Sequence, residues 1–275
     1  MGLNHARAYA RLPGVTLAAV VDIHADRAEA AARAHGGEAM TAATALIGRV
    51  DAVTVATPAV THAAVAGPLL RAGIPCLIEK PLAMTADDCA TLIAASNAAV
   101  VRVGHIERFN PAFQAFAAKN RGAVTAISGR RLNPPGRAVA IDVVNDLMVH
   151  DIDLVLTLKG GTPTGISARR LGRDYVAADL TFADGAVCKL ESQRAAPLAA
   201  RDMTISTTDG VFHLDFLART MTPGDGVITA DALDAELGDF LAACRGHRGR
   251  GATAGEAAAA LDVARQINAA LKDKP

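Results

Sequence analysis

Short apolar runs alternate with helix-period segments over roughly the first hundred residues, and then the period changes. TLAAVVD (16–22) reads as a strand, and the alanine-rich DRAEAAARAH that follows it reads as a helix. DAVTVAT (51–57), IPCLIEK (74–80) and AVVRVGH (99–105) repeat the strand pattern. Between them, VTHAAVAGPLLRAG is a helix closed by Gly73, and TADDCATLIAASN is one opened by Thr85 as N-cap, with Asp88 three residues on. Strands alternating with helices predict βαβ units and a parallel sheet. After residue 105 the segments GAVTAISGRRL, TGISARRL, VAADLTFADGAVCKLES and RDMTISTTDGVFHLDF alternate with a period of two. That pattern, with turn signals ADG and TDG, predicts an open, mostly antiparallel sheet.

The expected fold class is α/β, a parallel sheet followed by a second α/β domain. The boundaries fall at 1–105, 106–235 and 236–275, the last being helices that pack back on the first domain. A chain of 275 residues suits two domains.

In an open parallel sheet, ligands bind beyond the carboxyl ends of the strands. Asp22, Thr57-Pro58 and Glu79-Lys80-Pro81 stand at such ends. An acidic residue at Asp22's place accepts hydrogen bonds from adenosine ribose hydroxyls and repels a ribose phosphate, which favours NAD over NADP. The alternative is an Asp that caps or solvates the next turn. The opening MGLNHARAYARLPG reads as the last glycine, Gly2, of a G-x-G-x-x-G loop and the helix after it. The preceding strand and two glycines are absent from this pattern. The absent strand would be central to the sheet, so the reading is a truncated or mis-started product, or impaired cofactor binding.

AIDVVNDLMVHDIDLVLTLKG (140–160) is a strongly apolar helix on which Asp142, Asp146, His150 and Asp153 recur at steps of four, four and three. At about 100° per residue they share one stripe, which must face water or a cleft because buried, unpaired carboxylates are too costly. A surface helix showing its wet side is the alternative.

Lys plus Arg and Asp plus Glu each total 28, and the only short basic block is CRGHRGRG (244–251), which argues against a nucleic-acid partner. No apolar run reaches the roughly 18 residues that cross a bilayer, and the N-terminus lacks a signal-peptide pattern, so no membrane partner and a cytoplasmic location are expected. Cys76, Cys89, Cys188 and Cys244 are scattered without Cys-x-x-Cys or metal spacing, so no metal is expected.

The blocks VVD (20–22), VATPAVTHAAVAGPLLRAGIPCLIEKPLAMT (55–85), GHIERFNPAF (104–113) and DLMVHDIDL (146–154) resemble the glucose-fructose oxidoreductase and inositol dehydrogenase family, Gfo/Idh/MocA. The order and spacing of these blocks extend over nearly the whole chain. The resemblance implies a Rossmann domain, a C-terminal domain with an open sheet, a substrate lying between them, and homo-oligomers formed through the open sheet. By position, Lys80, Asp146 and His150 look like the family's catalytic group. Gly2, Asp22, Thr57, Pro58, His62, Glu79 and Lys80 look like cofactor-side residues, although His62 equally suits capping or packing of its helix. GHIERFNPA with DLMVHDIDLVL is most similar to the branch that oxidises the 3-hydroxyl of UDP-N-acetylglucosamine, which puts Arg108 and Asn110 near a sugar or UDP-sugar substrate, the Arg beside a diphosphate. Oxidising a secondary alcohol requires a base for the hydroxyl proton while hydride leaves carbon, a role that suits His150, with Lys80 stabilising alkoxide charge and Asp146 tuning its neighbour. An inositol or simple-sugar dehydrogenase and a non-catalytic nucleotide- or sugar-binding member are the competing readings.

Overall fold

The computed structural model describes residues 1–97, 99–136, 141–224 and 229–272. They form two compact units, Met1–Ile106 with Ala232–Ala258, and Glu107–Asp231 with Ala259–Pro275.

In the first unit the elements run α1 (Gly2–Tyr9), β1 (Ala19–Val21), α2 (Ala25–His35), β2 (Glu38–Met40), β3 (Val53–Val55), α3 (His62–Arg71), β4 (Cys76–Glu79), α4 (Ala86–Ala95) and β5 (Val101–Gly104). Every ladder is parallel: β1 pairs β2, and β4 lies between β3 and β5. Each β4 residue is buried, as expected of a parallel strand covered on both faces. Among the described residues no strand joins β1 to β3, so the parallel sheet is two separate ladders. All three β1 residues are only half-buried. β2, three residues long and too short for the sequence pattern to show, is the partner of β1. Thr85 caps α4 as its spacing predicts, its hydroxyl accepting from the Asp88 amide. From the far end of the chain α7 (Ala232–Cys244) returns to this unit, packing Leu233, Leu237 and Phe240 against Ala8 and Leu77.

The second unit holds α5 (Pro111–Ala117), β6 (Val124–Leu132), a π turn over Val144–Met148, α6 (Val149–Lys159), β7 (Gly165–Gly172), β8 (Tyr175–Thr181), β9 (Val187–Gln193), β10 (Ala200–Thr207), β11 (Gly210–Asp215) and β12 (Thr220–Thr222). The seven strands form one sheet in the order β12-β11-β10-β6-β9-β8-β7, antiparallel throughout except for the β6–β9 pair. Alternate residues such as Cys188, Leu190, Met203 and Ile205 point into a core shared with Met148, Ile152 and Leu154. Last comes α8 (Ala254–Lys272). Of the two tail helices expected on the first domain, α7 joins the first unit, whereas α8 divides. Its Ala260, Val263, Ala264 and Ile267 recur at helical spacing and enter the second unit's core. Residues 273–275 of that tail, and Ala140 at the head of the apolar helix, lie outside the described residues.

Among the described residues no helix is long and apolar enough to cross a membrane.

Candidate active site

The parallel strands place Thr57-Pro58, Glu79-Lys80 and Gly104 just past, or at, the carboxyl ends of β3, β4 and β5. Glu79 is 8% exposed, and its Oε1 lies 2.7 Å from His5 Nε2. The other oxygen accepts from the Lys80 amide at 3.3 Å. A Cβ at position 104 would stand 3.1 Å from Glu79 Oε2 and 3.3 Å from its Cα, so a glycine on β5 makes room for the buried carboxylate. Lys80 itself is half-buried. His5 was missed by sequence reasoning; the signal was a histidine on the same inward stripe of α1 as Ala8.

His62 is 1% exposed at the start of α3. Its Nε2 faces the Thr57 carbonyl at 2.9 Å, while Nδ1 faces the carbonyls of Pro81 at 3.0 Å and Leu82 at 3.2 Å. The ring thus ties the segment after β3 to the one after Lys80. Both ring nitrogens therefore meet main chain. Thr57 accepts from the Thr61 hydroxyl at 2.9 Å, and the Pro58 carbonyl accepts from the same hydroxyl at 2.7 Å.

Asp22 is half-buried just after β1, its Oδ1 accepting from the His24 amide at 2.9 Å, a local turn bond that leaves the rest of its carboxylate lone pairs outside that bond. Gly2 opens α1, which has no side-chain cap, and a Cβ there would stand 3.9 Å from that of Ala56. These features fit a dinucleotide: uncapped helix amides favour phosphate, and a strand-end carboxylate favours ribose hydroxyls.

The second unit carries Asp146 and His150. Asp142 caps the start of their segment, accepting from the amides of Val144 and Asn145 and from the side chains of Asn145 and Asn268. Burial pushes the Asp142 carboxyl up, and these hydrogen bonds outweigh it, so it lies below the usual carboxylate range. The π turn holds Asp146, and π turns recur at functional sites. Asp146 Oδ2 accepts from Arg194 Nη2 at 3.0 Å, and His150 is half-buried one turn on.

The expected polar stripe breaks at Asp153, which is 1% exposed. Arg108 meets it with two hydrogen bonds, Nε at 2.8 Å and Nη2 at 2.7 Å. The rule against buried, unpaired carboxylates holds; the partner simply comes from 45 residues away. Arg108, expected near a substrate diphosphate, is a buried residue here, 4% exposed, with Nε and Nη2 on Asp153. Asn110 is likewise interior: its Oδ1 caps α5 by accepting from Ala112, and its Nδ2 donates to Glu107 and to the Phe216 carbonyl. Asp151, unremarked in the sequence, is also buried, with Arg131 between it and Glu107 at 2.7 Å on each side. Burial weighs against the Arg131 charge, but Asp151 and Glu107 together raise its pKa further above the ordinary arginine range. Two acids share this one guanidinium, and burial, with Glu107 nearby, raises the Asp151 carboxyl despite Arg131.

Lys80 belongs to the first unit, Asp146 and His150 to the second. Among the described residues no group of three or more His, Cys, Asp or Glu is placed to hold a metal ion.

Residues 1–105 match the model of a family described as "Oxidoreductase family, NAD-binding Rossmann fold". UDP-N-acetylglucosamine 3-dehydrogenase of Acidithiobacillus ferrooxidans is 36% identical over 273 residues, spanning 90% of this chain and 87% of that protein. A solved structure of that enzyme aligns with a TM-score of 0.92 at 33% identity, covering 98% of this chain and 94% of that one. Rhizopine catabolism protein MocA of Rhizobium meliloti is 31% identical over 291 residues, 96% of this chain and 90% of that protein. The Lactobacillus casei scyllo-inositol dehydrogenase, solved with NAD(H) and scyllo-inositol, shares the fold with a TM-score of 0.83 at 18% identity, covering 98% and 93%. The family description and the dehydrogenase relatives make this an oxidoreductase with a Rossmann-type dinucleotide domain. The chain belongs to the Gfo/Idh/MocA family.

Proposed function

We propose that the protein is an NAD-dependent dehydrogenase that oxidises a secondary hydroxyl of a nucleotide sugar, with the 3-hydroxyl of UDP-N-acetylglucosamine as first candidate. The observation that carries this reading is the similarity to the A. ferrooxidans enzyme over 90% of the chain. Lys80, Asp146 and His150 supply a cation, a carboxylate and an imidazole for the chemistry.

Bound NAD supplies the hydride acceptor. Asp22 and the head of α1 would hold its ribose and phosphates, and Thr57, Pro58 and Glu79 would line the other end. His150 takes the hydroxyl proton, a transfer that suits imidazole near neutral pH. Lys80 orients that hydroxyl and stabilises the negative charge growing on its oxygen. Asp146 tunes and orients its catalytic neighbours. His62 holds the segment after Lys80 against the one after β3, and His5 seats Glu79. The reading extends to a cytoplasmic homo-oligomer that uses the open face of the seven-stranded sheet, testable by light scattering.

The test is a panel of UDP-N-acetylglucosamine, free N-acetylglucosamine and myo-inositol, each with NAD and with NADP, followed by reduced-cofactor absorbance. Turnover of the UDP-sugar with NAD supports the proposal. Turnover of inositol alone transfers the protein to the simple-sugar dehydrogenases, and cofactor binding with no turnover makes it a non-catalytic binding member.

A further inference from the structure

Arg194 stands immediately after β9, among residues that no sequence motif singled out. Its Nη2 donates to Asp146 Oδ2 at 3.0 Å and to the Ile141 carbonyl at 2.6 Å. One nitrogen thus grips the backbone just before the π turn and the carboxylate within it. The two side chains are 18% and 20% exposed, so water screens their attraction only in part.

The turn that presents Arg194 is held against local preference. Ala195 has φ of +55°, the left-handed region that a residue with a Cβ adopts only when its surroundings impose it. Backbone bonds fix both sides, with the Arg194 amide donating to Asp174 and the Ala196 amide to Asn133. The Arg194 Nε is buried and has no hydrogen-bond partner among the described residues. A donor left buried and unmade is unfavourable, so the guanidinium is held here by the two bonds of Nη2 at the expense of Nε. A surface ion pair needs neither a strained turn nor a sacrificed donor.

We infer that Arg194 is a positioning residue of the dehydrogenase site. It acts through Asp146, holding that carboxylate and the entry to the π turn in one arrangement, and does not itself touch substrate. The inference rests on the reading of Asp146 as a member of the catalytic group. A π turn has a wider hydrogen-bonded ring than an α-helix, so the side chains on it leave the regular α-helical spacing. An external clamp on its first residues therefore sets where the Asp146 carboxylate points.

The experiment compares Arg194→Met, Arg194→Lys, Asp146→Asn and the Arg194→Met/Asp146→Asn double variant in the full chain. UDP-N-acetylglucosamine and NAD are the probes, and thermal melting is the folding control. Arg194→Met is expected to lower kcat by about 10- to 100-fold, the size of loss that a small misplacement of a reacting group produces, with KM changed less than about threefold. Arg194→Lys, which keeps the charge but bonds from a single point, recovers part of the loss. The double variant should be no slower than Asp146→Asn alone, because both changes act on one group. Additive losses, or a raised KM with kcat intact, overturn the inference, the latter by making Arg194 a ligand-binding group. Should the unaltered chain turn over none of the panel, the functional reading fails by itself, and amide hydrogen exchange over residues 144–148 then decides. Faster exchange there in Arg194→Met, with the rest of the unit unchanged, upholds the clamp, and equal exchange overturns it.

Discussion

His5 and Glu79 meet at 2.7 Å in the interior of the first unit, joining the helix that opens the chain to the strand end that carries Lys80. Removing His5 leaves a buried carboxylate short of a partner. His5→Ala should destabilise the protein by about 1–3 kcal/mol, the cost of leaving a buried polar group unsatisfied. An unchanged urea midpoint would show that the pair contributes nothing, and a Glu79→Gln/His5→Ala double variant measures its coupling.

Arg108→Ala strands Asp153 in the core, where the two side chains are 5% and 2% exposed. The expected loss is about 3–5 kcal/mol, typical of breaking a buried pair from one side. Arg108→Met with Asp153→Leu should recover much of it, because a packed apolar pair has no charge to strand. Equilibrium unfolding checks both. A folded Arg108→Ala protein with normal stability and a sharply raised KM for the UDP-sugar would instead return Arg108 to the substrate.

Asp142 gives stability a pH dependence of known sign. Its carboxyl is lowered on folding, so its contribution is complete above the unfolded value of about 3.9 and fades as pH falls through the folded one. Asp142→Ala, which removes a cap, should cost about 0.5–2 kcal/mol at pH 7. In urea titrations at falling pH, the gap between parent and variant should close in acid. A gap independent of pH would contradict the assignment.

Lys80→Ala should lower turnover of the proposed substrate by about 100-fold or more, the usual loss when a group stabilising developing charge is removed, with the melting temperature nearly unchanged. Unchanged turnover at equal stability would remove Lys80 from the chemistry.

Asp22→Ala should narrow the preference for NAD over NADP, because the carboxylate that repels a ribose phosphate is gone. The ratio of kcat/KM for the two cofactors checks this, and an unaltered ratio would confine Asp22 to its turn bond with His24.

Much of the architecture was legible along the chain. The strand at 76–79, the Thr85 cap, the change of rhythm after residue 105 and the seven-stranded sheet's alternation all follow from periods of two and 3.6, which a local stretch of sequence displays. Glu79 and Lys80 could be singled out because a charged end on an apolar strand is visible in a dozen residues. The helix at 140–160 was legible only in part. Its apolar residues marked the core, but the π turn and the fate of Asp151 and Asp153 were hidden.

What only the tertiary structure decided is which charges face which. Asp153 looked outward by helical period, yet lies inside because Arg108 is there to neutralise it. His5 and Glu79 are 74 residues apart, and Arg194 and Asp146 are 48. Periodicity reports whether a side chain's own element turns it toward the core. Whether a buried charge is tolerated depends on a partner that folding brings from elsewhere, since desolvation is offset only by a group within hydrogen-bond reach.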